Sequence, residues 1–184
     1  MKTIIIPKRE YYDQAKNEFI YIDETVLNLE HSLLALSEWE AKWKKPFFSK
    51  KDRTIGELRD YVRCMTIGEK APEIVYASIS TDLLKDIFEY VNDSKTATWI
   101  NERKPSGGGG IPGSRNQVIT SELIYYWMVA AQVPFEAETW HLSRLFTLLR
   151  ICSIKSQPNK KMSKNEVLRQ NAAINAARRA KRGG

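Results

Sequence analysis

The sequence predicts an α+β fold that is predominantly helical, with a small N-terminal antiparallel sheet and a protruding basic C-terminal helix. Three observations predict this fold class. Residues with β-branched or alternating apolar side chains are concentrated before residue 30. Amphipathic stretches that begin at capping residues recur between residues 32 and 154. Residues 155–184 combine many alanines with nine basic side chains and a single acidic one, Glu166.

Three short segments near the N-terminus have the composition of β-strands. Residues 3–6 are β-branched, and residues 18–23 and 26–30 alternate between apolar and polar side chains. We expect these segments to form the small antiparallel sheet. The polar residues 8–17 are predicted to be a turn or a short helical excursion. One more short strand is predicted at residues 96–100.

Three helices are predicted in the first half of the chain, each with a residue that can cap its N-terminus. A serine begins the first helix, residues 32–43, and another begins the third, residues 80–91. Thr54 and Glu57 match a capping box, in which each side chain satisfies a backbone donor of the other residue. This box predicts the second helix, which ends near Gly68.

Residues 101–116 show the sharpest change in composition. Four consecutive glycines with prolines on both sides leave few side chains to pack, which is typical of a flexible Gly-rich loop. A phosphate-binding loop would need a Lys-Ser or Lys-Thr pair after the glycines, and the sequence has none there. The pattern therefore predicts a flexible loop within a globular body that comprises residues 1–156.

Two helices are predicted after this loop, followed by a basic arm. Thr120 or Ser121 caps the first helix, which extends to residue 132 and is apolar nearly all round, as in a core or an oligomer interface. We expect residues 123–129 of it to support self-association. The second helix comprises residues 138–154. We predict that residues 157–184 form a separate helical arm, because their mostly alanine apolar positions offer little area to bury.

The sequence contains no recognisable catalytic, cofactor-binding or metal-binding motif. His31 and His141 each lie beside an apolar helix, which favours structural roles for both. Cys64 and Cys152 are far apart and match neither a disulfide framework nor a zinc site. We therefore predict that the protein is not an enzyme and has no cofactor and no metal. No apolar run approaches the roughly 18–20 residues that span a bilayer.

The charge distribution indicates docking on a partner, although a cationic helix can also be a solvated face. Residues 1–154 carry 20 basic and 21 acidic side chains, so the net charge of +7 originates in the remaining residues. Nucleic-acid binding is a weaker alternative, because the arm lacks aromatic side chains for base stacking. The candidate partner-binding residues lie on the apolar helix and the arm: Tyr126, Trp127, Lys160, Lys161, Lys164, Arg169, Arg178, Arg179, Lys181 and Arg182.

Two stretches of the chain resemble a known family. Residues 29–43 read LEHSLLALSEWEAKW, and residues 119–164 contain ITSELIYYW, WHLSRL and MSK. Together they resemble the tail assembly chaperones of tailed bacteriophages over most of residues 25–180. The resemblance implies a non-catalytic protein of the host cytoplasm that binds the tape-measure protein and recruits tail-tube subunits. There are two alternatives to this role. One is a structural virion component of the tail or head–tail junction, and the other, which is less favoured, is a nucleic-acid-binding phage regulator. The resemblance transfers no binding residue by position.

Overall fold

Four strands and six α-helices make up the described part of the chain, which confirms a predominantly helical α+β fold. The computed structural model describes residues 1–14, 17–49, 53–98 and 118–156, together with residues 168, 169, 171, 172 and 174. The elements are, in order, β1 (Lys2–Ile6), β2 (Arg9–Asp13), β3 (Glu18–Ile22), β4 (Thr25–Leu29), α1 (Leu33–Trp43), α2 (Ile55–Met65), α3 (Glu73–Ala77), α4 (Thr81–Asn92), α5 (Ser121–Ala130), a 3-10 helix (Phe135–Thr139) and α6 (Leu142–Ser156).

The chain divides into two compact units, Met1–Cys152 and Ser153–Gly184. The boundary predicted from the sequence, after residue 156, lies at the end of α6. The Gly-rich loop predicted at residues 101–116 lies outside the described residues, as does most of the arm. The protrusion of the basic helix stays a prediction.

The predicted N-terminal sheet is present, and its strands pair as two antiparallel ribbons. Strand β1 pairs with β4, and β2 pairs with β3. The register is continuous, because Ile6 lies opposite Thr25 and Arg9 lies opposite Ile22. The two ribbons therefore form one long hairpin with an interruption between them. Ile4, Ile6, Leu27 and Leu29 are buried on the inner face of the β1–β4 ribbon.

Strand β2 corrects the prediction of a turn or a short helix at residues 8–17. The residues of β2 are polar or amphipathic and lack the alternation of apolar and polar side chains that is typical of a half-buried strand. Its described side chains are largely exposed. Pairing with β3 determines its conformation instead. The strand predicted at residues 96–100 is absent at residues 96–98. The Lys95 amide there donates to the Ser143 hydroxyl, at 3.0 Å, rather than to a neighbouring strand.

The predicted helix caps are confirmed. Ser32, Thr54, Ser80 and Thr120 each accept a hydrogen bond from the backbone N–H three residues later. The Glu57 side chain also accepts from the Thr54 amide, which completes the capping box. These interactions lie within one helical turn, and this locality is why the sequence alone predicts them.

The last helix begins later than predicted. Residues 135–139 form a 3-10 helix, and α6 begins at Leu142 rather than at residue 138. Between them the chain is extended, because His141 forms a β-bridge with Ser32. The Leu142 amide then donates to the His31 carbonyl, at 2.8 Å. A tertiary contact therefore determines where α6 begins. The short helix α3, which follows Pro72, was also not predicted.

Helices α1 and α2 are joined by both indoles of α1. Trp39 Nε1 donates to the Glu57 carbonyl at 2.9 Å, and Trp43 Nε1 donates to Asp60 Oδ2 at 2.7 Å. Asp60 also binds Lys42 and Arg63. Burial raises the pKa of Asp60, but these hydrogen bonds outweigh that effect and hold the pKa below its usual value. The carboxylate therefore remains ionised at neutral pH and connects the two helices.

The carboxylate of Glu40 connects three segments in the core. Glu40 is 7% exposed, and its Oε1 accepts a hydrogen bond from the Phe47 amide at 2.7 Å. Its Oε2 accepts from the amide of Ser121, 81 residues away, also at 2.7 Å. Ser121 is the first residue of α5, where the helix dipole favours negative charge. Glu40 thus attaches both the segment after α1 and the N-terminus of α5 to α1.

Replacement of Glu40 should lower stability far more than replacement of its neighbour Glu38. In Glu40→Gln a side-chain donor faces one of the two buried amides, so the free energy of unfolding should fall by about 1–3 kcal/mol. Glu38 forms partly exposed ion pairs with Arg63 and Lys70. Glu38→Gln should therefore cost less than about 1 kcal/mol. Urea unfolding followed by tryptophan fluorescence measures both values, and equal losses would contradict the role of Glu40.

Candidate functional site

The two partner-binding residues predicted on helix α5, Tyr126 and Trp127, lie on different sides of it. Tyr126 is 65% exposed, and Val129, one turn further, is 60% exposed. These two residues form what we call the α5 face. Trp127 is only 7% exposed and lies with Ile124 and Met128 on the buried side, at the helical spacing of i, i+3 and i+4. Trp127 is therefore a core residue, and we correct its assignment to a partner-binding surface.

A further exposed aromatic residue lies in the 3-10 helix after α5. Phe135 is 56% exposed, and its ring centroid is 6.3 Å from that of Tyr125. The Tyr125 hydroxyl donates to Glu138 Oε2 at 2.8 Å. Burial raises the pKa of Tyr125, and the Glu138 carboxylate raises it further. The tyrosine therefore stays protonated and joins α5 to the 3-10 helix.

Of the eight basic site residues predicted in the arm, the structure describes Arg169. Its backbone is helical and its side chain is exposed. The neighbouring apolar side chains Leu168 and Ile174 are 65% and 42% exposed. The other predicted basic residues lie outside the described residues: Lys160, Lys161, Lys164, Arg178, Arg179, Lys181 and Arg182.

The β2–β3 ribbon presents a surface that the sequence analysis did not identify. Glu10, Tyr12, Phe19 and Tyr21 lie on one side of it, because Glu10 is opposite Tyr21 and Tyr12 is opposite Phe19. We call these four residues the hairpin face. Tyr12 and Phe19 have ring centroids 5.0 Å apart. The sequence contains several aromatic residues between positions 11 and 21. Only the pairing of β2 with β3 shows which of them lie on the same side of the ribbon.

The hairpin face is both aromatic and acidic. Phe19 is 58% exposed and Tyr21 is 63% exposed. The Tyr21 hydroxyl donates to the Glu10 carboxylate, and this hydrogen bond raises the pKa of Tyr21. Residues 10–24 contain five acidic side chains and one basic side chain. Such a surface can bind a basic segment through charge and through contact of its cations with the rings.

The two histidines form a buried pair. Their ring centroids are 5.2 Å apart, and each residue is 4% exposed. His31 Nδ1 lies 2.7 Å from the Tyr61 hydroxyl, with which it shares a hydrogen bond. His141 Nδ1 lies 2.8 Å from the Ser143 hydroxyl. With the β-bridge between Ser32 and His141, these contacts hold the start of α1 against the start of α6.

Burial keeps both imidazoles neutral. Burial, with a smaller contribution from the neighbouring His141, lowers the pKa of His31 to about 3. Burial also lowers the pKa of His141, although the Tyr90 carbonyl and the Glu30 carboxylate act in the opposite direction. Glu30 itself accepts a hydrogen bond from the Tyr90 hydroxyl at 2.6 Å. The histidine pair is therefore a structural contact between the segments that precede α1 and α6. The polar groups around it are the hydroxyls of Tyr61 and Ser143, the Tyr90 carbonyl and the Glu30 carboxylate.

Neither thiol forms a disulfide. Cys64 is buried, and burial raises its pKa to about 12, so it stays a protonated, unreactive thiol. Cys152 is half-buried. Within the described ranges, no three His, Cys, Asp or Glu side chains group in a way that could hold a metal ion. No helix in those ranges is both long enough and apolar enough to cross a membrane.

Comparison with known proteins identifies no relative. No protein-family model matches the chain, and no curated protein or solved structure matches it significantly.

The buried histidine pair should make the protein less stable as the pH falls below about 6.5. The folded-state pKa of His31, about 3, is below its unfolded value of 6.5, so the unfolded chain binds more protons in this interval. The free energy of unfolding should therefore decrease by about 1 kcal/mol per pH unit between roughly pH 6 and 5.

A His31→Asn variant tests this pH dependence. Its side-chain oxygen can replace Nδ1 as a partner of Tyr61, but the group does not titrate. The variant is expected to be less stable at neutral pH and to show a flatter slope between pH 6 and 5. Urea titrations at each pH measure the slope. An unchanged slope in the variant would show that His31 is not the responsible group.

Proposed function

We propose that the protein is a non-catalytic tail assembly chaperone of a tailed bacteriophage, which acts by binding other proteins in the host cytoplasm. The observation that carries this proposal is the exposure of large apolar side chains on two separate elements, the α5 face and the hairpin face. Exposed apolar groups of this kind are typical of protein-binding surfaces. The resemblance of residues 29–43 and 119–164 to such chaperones supports the specific role.

The α5 face fits the task of covering an apolar helix. Tyr126 and Val129 are separated by three positions on one helix, which is the spacing by which two helices pack side by side. A tape-measure protein, as the resemblance implies, is a long helical protein that must be kept soluble until tube subunits surround it. Binding through a small apolar face is reversible, since it involves no covalent chemistry and a small contact area.

The basic arm would contribute to the rate of encounter. Exposed charges are screened beyond about 8–10 Å at physiological salt, so the arm attracts an acidic partner surface before contact is made. Eight of its side chains are basic, and one is acidic. We expect the arm to increase the association rate constant more than the final affinity.

Co-expression with the tape-measure protein encoded nearby tests the proposed function. The two proteins should co-purify, and the chain should be absent from purified phage particles. Stoichiometric presence in particles without co-purification would favour the structural virion component instead. Retardation of duplex DNA with sequence preference and a steep salt dependence would favour the phage regulator.

The α5 face should contribute to this binding without contributing to stability. A Tyr126→Ser/Val129→Ser variant should bind the partner at least about tenfold more weakly, because two apolar contacts worth about 1 kcal/mol each are lost. Its melting temperature should change little, since both side chains are exposed. Leu34→Ser is a matched control, because Leu34 is a 53% exposed apolar residue on α1. Equal losses of binding in both variants would contradict a specific role for α5.

A further inference from the structure

We propose that the hairpin face is a docking surface for the basic arm, residues 157–184, of a second copy of this chain. The proposal does not depend on the proposed function. It rests on the exposed aromatic residues of the hairpin face and on the opposite charges of the two segments.

The hairpin face has uncovered apolar area. Tyr12 is 49% exposed, and its ring lies beside that of Phe19 on the same side of the ribbon. The Tyr12 hydroxyl donates to the Asn17 side chain, which holds the ring in place. A two-stranded ribbon with exposed aromatic residues is marginally stable by itself in water, so a segment packed on it gains apolar contact and stabilises it.

Further acidic side chains lie beside the hairpin face. Glu18 adjoins Phe19 in β3, on the opposite side of the ribbon, and Glu24 lies in the interruption between the ribbons; both are exposed and add to the negative charge of this region. Asp23 Oδ1 lies 3.9 Å from Lys8 Nζ. Both side chains are mostly exposed, so this ion pair is weak. The Glu10 carboxylate already accepts a hydrogen bond from the Tyr21 hydroxyl. Among the described residues, neither Glu18 nor Glu24 has an ion-pair partner.

The arm has the complementary chemistry. It carries eight basic side chains, four of which are arginines, against Glu166 alone. Arginine guanidinium groups pair with carboxylates and also stack on tyrosine and phenylalanine rings, which suits a surface that offers both. The described part of the arm is helical and exposes Leu168, an apolar side chain that can pack on Tyr12 and Phe19.

Each copy has one hairpin face and one arm, so the contact is heterologous. The arm of one copy binds the hairpin of the next, and the free arm of that next copy remains available. Assembly of this kind grows with protein concentration and weakens as salt screens the charges.

Charge reversal in the full-length chain tests the proposal. The hairpin variant is Glu18→Lys/Glu24→Lys, and the arm variant is Arg178→Glu/Arg179→Glu. The matched control is Glu69→Lys/Glu136→Lys, which makes the same charge change at two exposed positions outside the hairpin. Sedimentation equilibrium at low ionic strength and at about 1 M salt measures the association constant of each protein, and circular dichroism verifies that each is folded.

The wild-type protein should exceed its single-chain mass of 21.2 kDa at low ionic strength and should dissociate at high salt. The control should associate like the wild type, whereas the hairpin and arm variants should each associate at least about tenfold more weakly. An equimolar mixture of these two variants should regain association, because the reversed arm of one matches the reversed hairpin of the other.

Three results would overturn the proposal. One is a wild-type chain that stays at its single-chain mass at every concentration at low ionic strength, since the arm would then bind nothing or only its own copy. Another is a control that loses association as much as the hairpin variant, which would indicate an effect of net charge. The third is a mixture of the hairpin and arm variants that remains dissociated.

Discussion

A buried carboxyl side chain that accepts hydrogen bonds from two distant backbone amides is the constraint on which the first unit depends. Glu40 accepts hydrogen bonds from the Phe47 and Ser121 amides, and Ser121 begins α5. A buried polar group is tolerated only when its hydrogen bonds are made, so separation of α5 from α1 would leave the Glu40 side chain without one of its two partners. This contact holds the N-terminus of α5 against α1, and packing of Ile124, Trp127 and Met128 in the core determines the rotation of the helix about its axis. That rotation buries Trp127 and leaves Tyr126 and Val129 outside.

The histidine pair makes a second junction of the same kind, at the other end of α1. His31 and His141 are neutral and buried, and the bridge between Ser32 and His141 places α6. Both junctions use polar groups in the core to hold helices that are distant in sequence. Apolar packing alone would tolerate several helix arrangements, whereas unpaired buried polar groups would penalise each incorrect one. The cost of this specificity is that stability depends on the protonation state of the histidines.

The surfaces outside this core are consistent with a protein that acts by association. The hairpin face and the α5 face expose aromatic and aliphatic side chains that the core does not need. Charge is distributed unequally, with five acids and one base in residues 10–24 and eight bases and one acid in the arm. An arm that can bind either the hairpin of another copy or an acidic partner would make self-association and partner binding compete. Binding of the acidic partner would then dissociate the assembly of copies.

Elements that are stabilised by local interactions could be predicted from the sequence. Examples are the Thr54–Glu57 capping box, the serine caps of α1 and α4, and the amphipathic pattern of the helices. Each involves residues that are close in sequence, so it can be recognised without knowledge of the fold. The other elements depend on contacts between residues that are distant in sequence. β2 is a strand because β3 pairs with it, and α6 begins at Leu142 because His141 bridges to Ser32. A helix as uniformly apolar as α5 does not specify its inner side by composition. Contacts with segments distant in sequence select that side, among them the hydrogen bond between Glu40 and Ser121 across 81 residues, and no local pattern encodes such contacts.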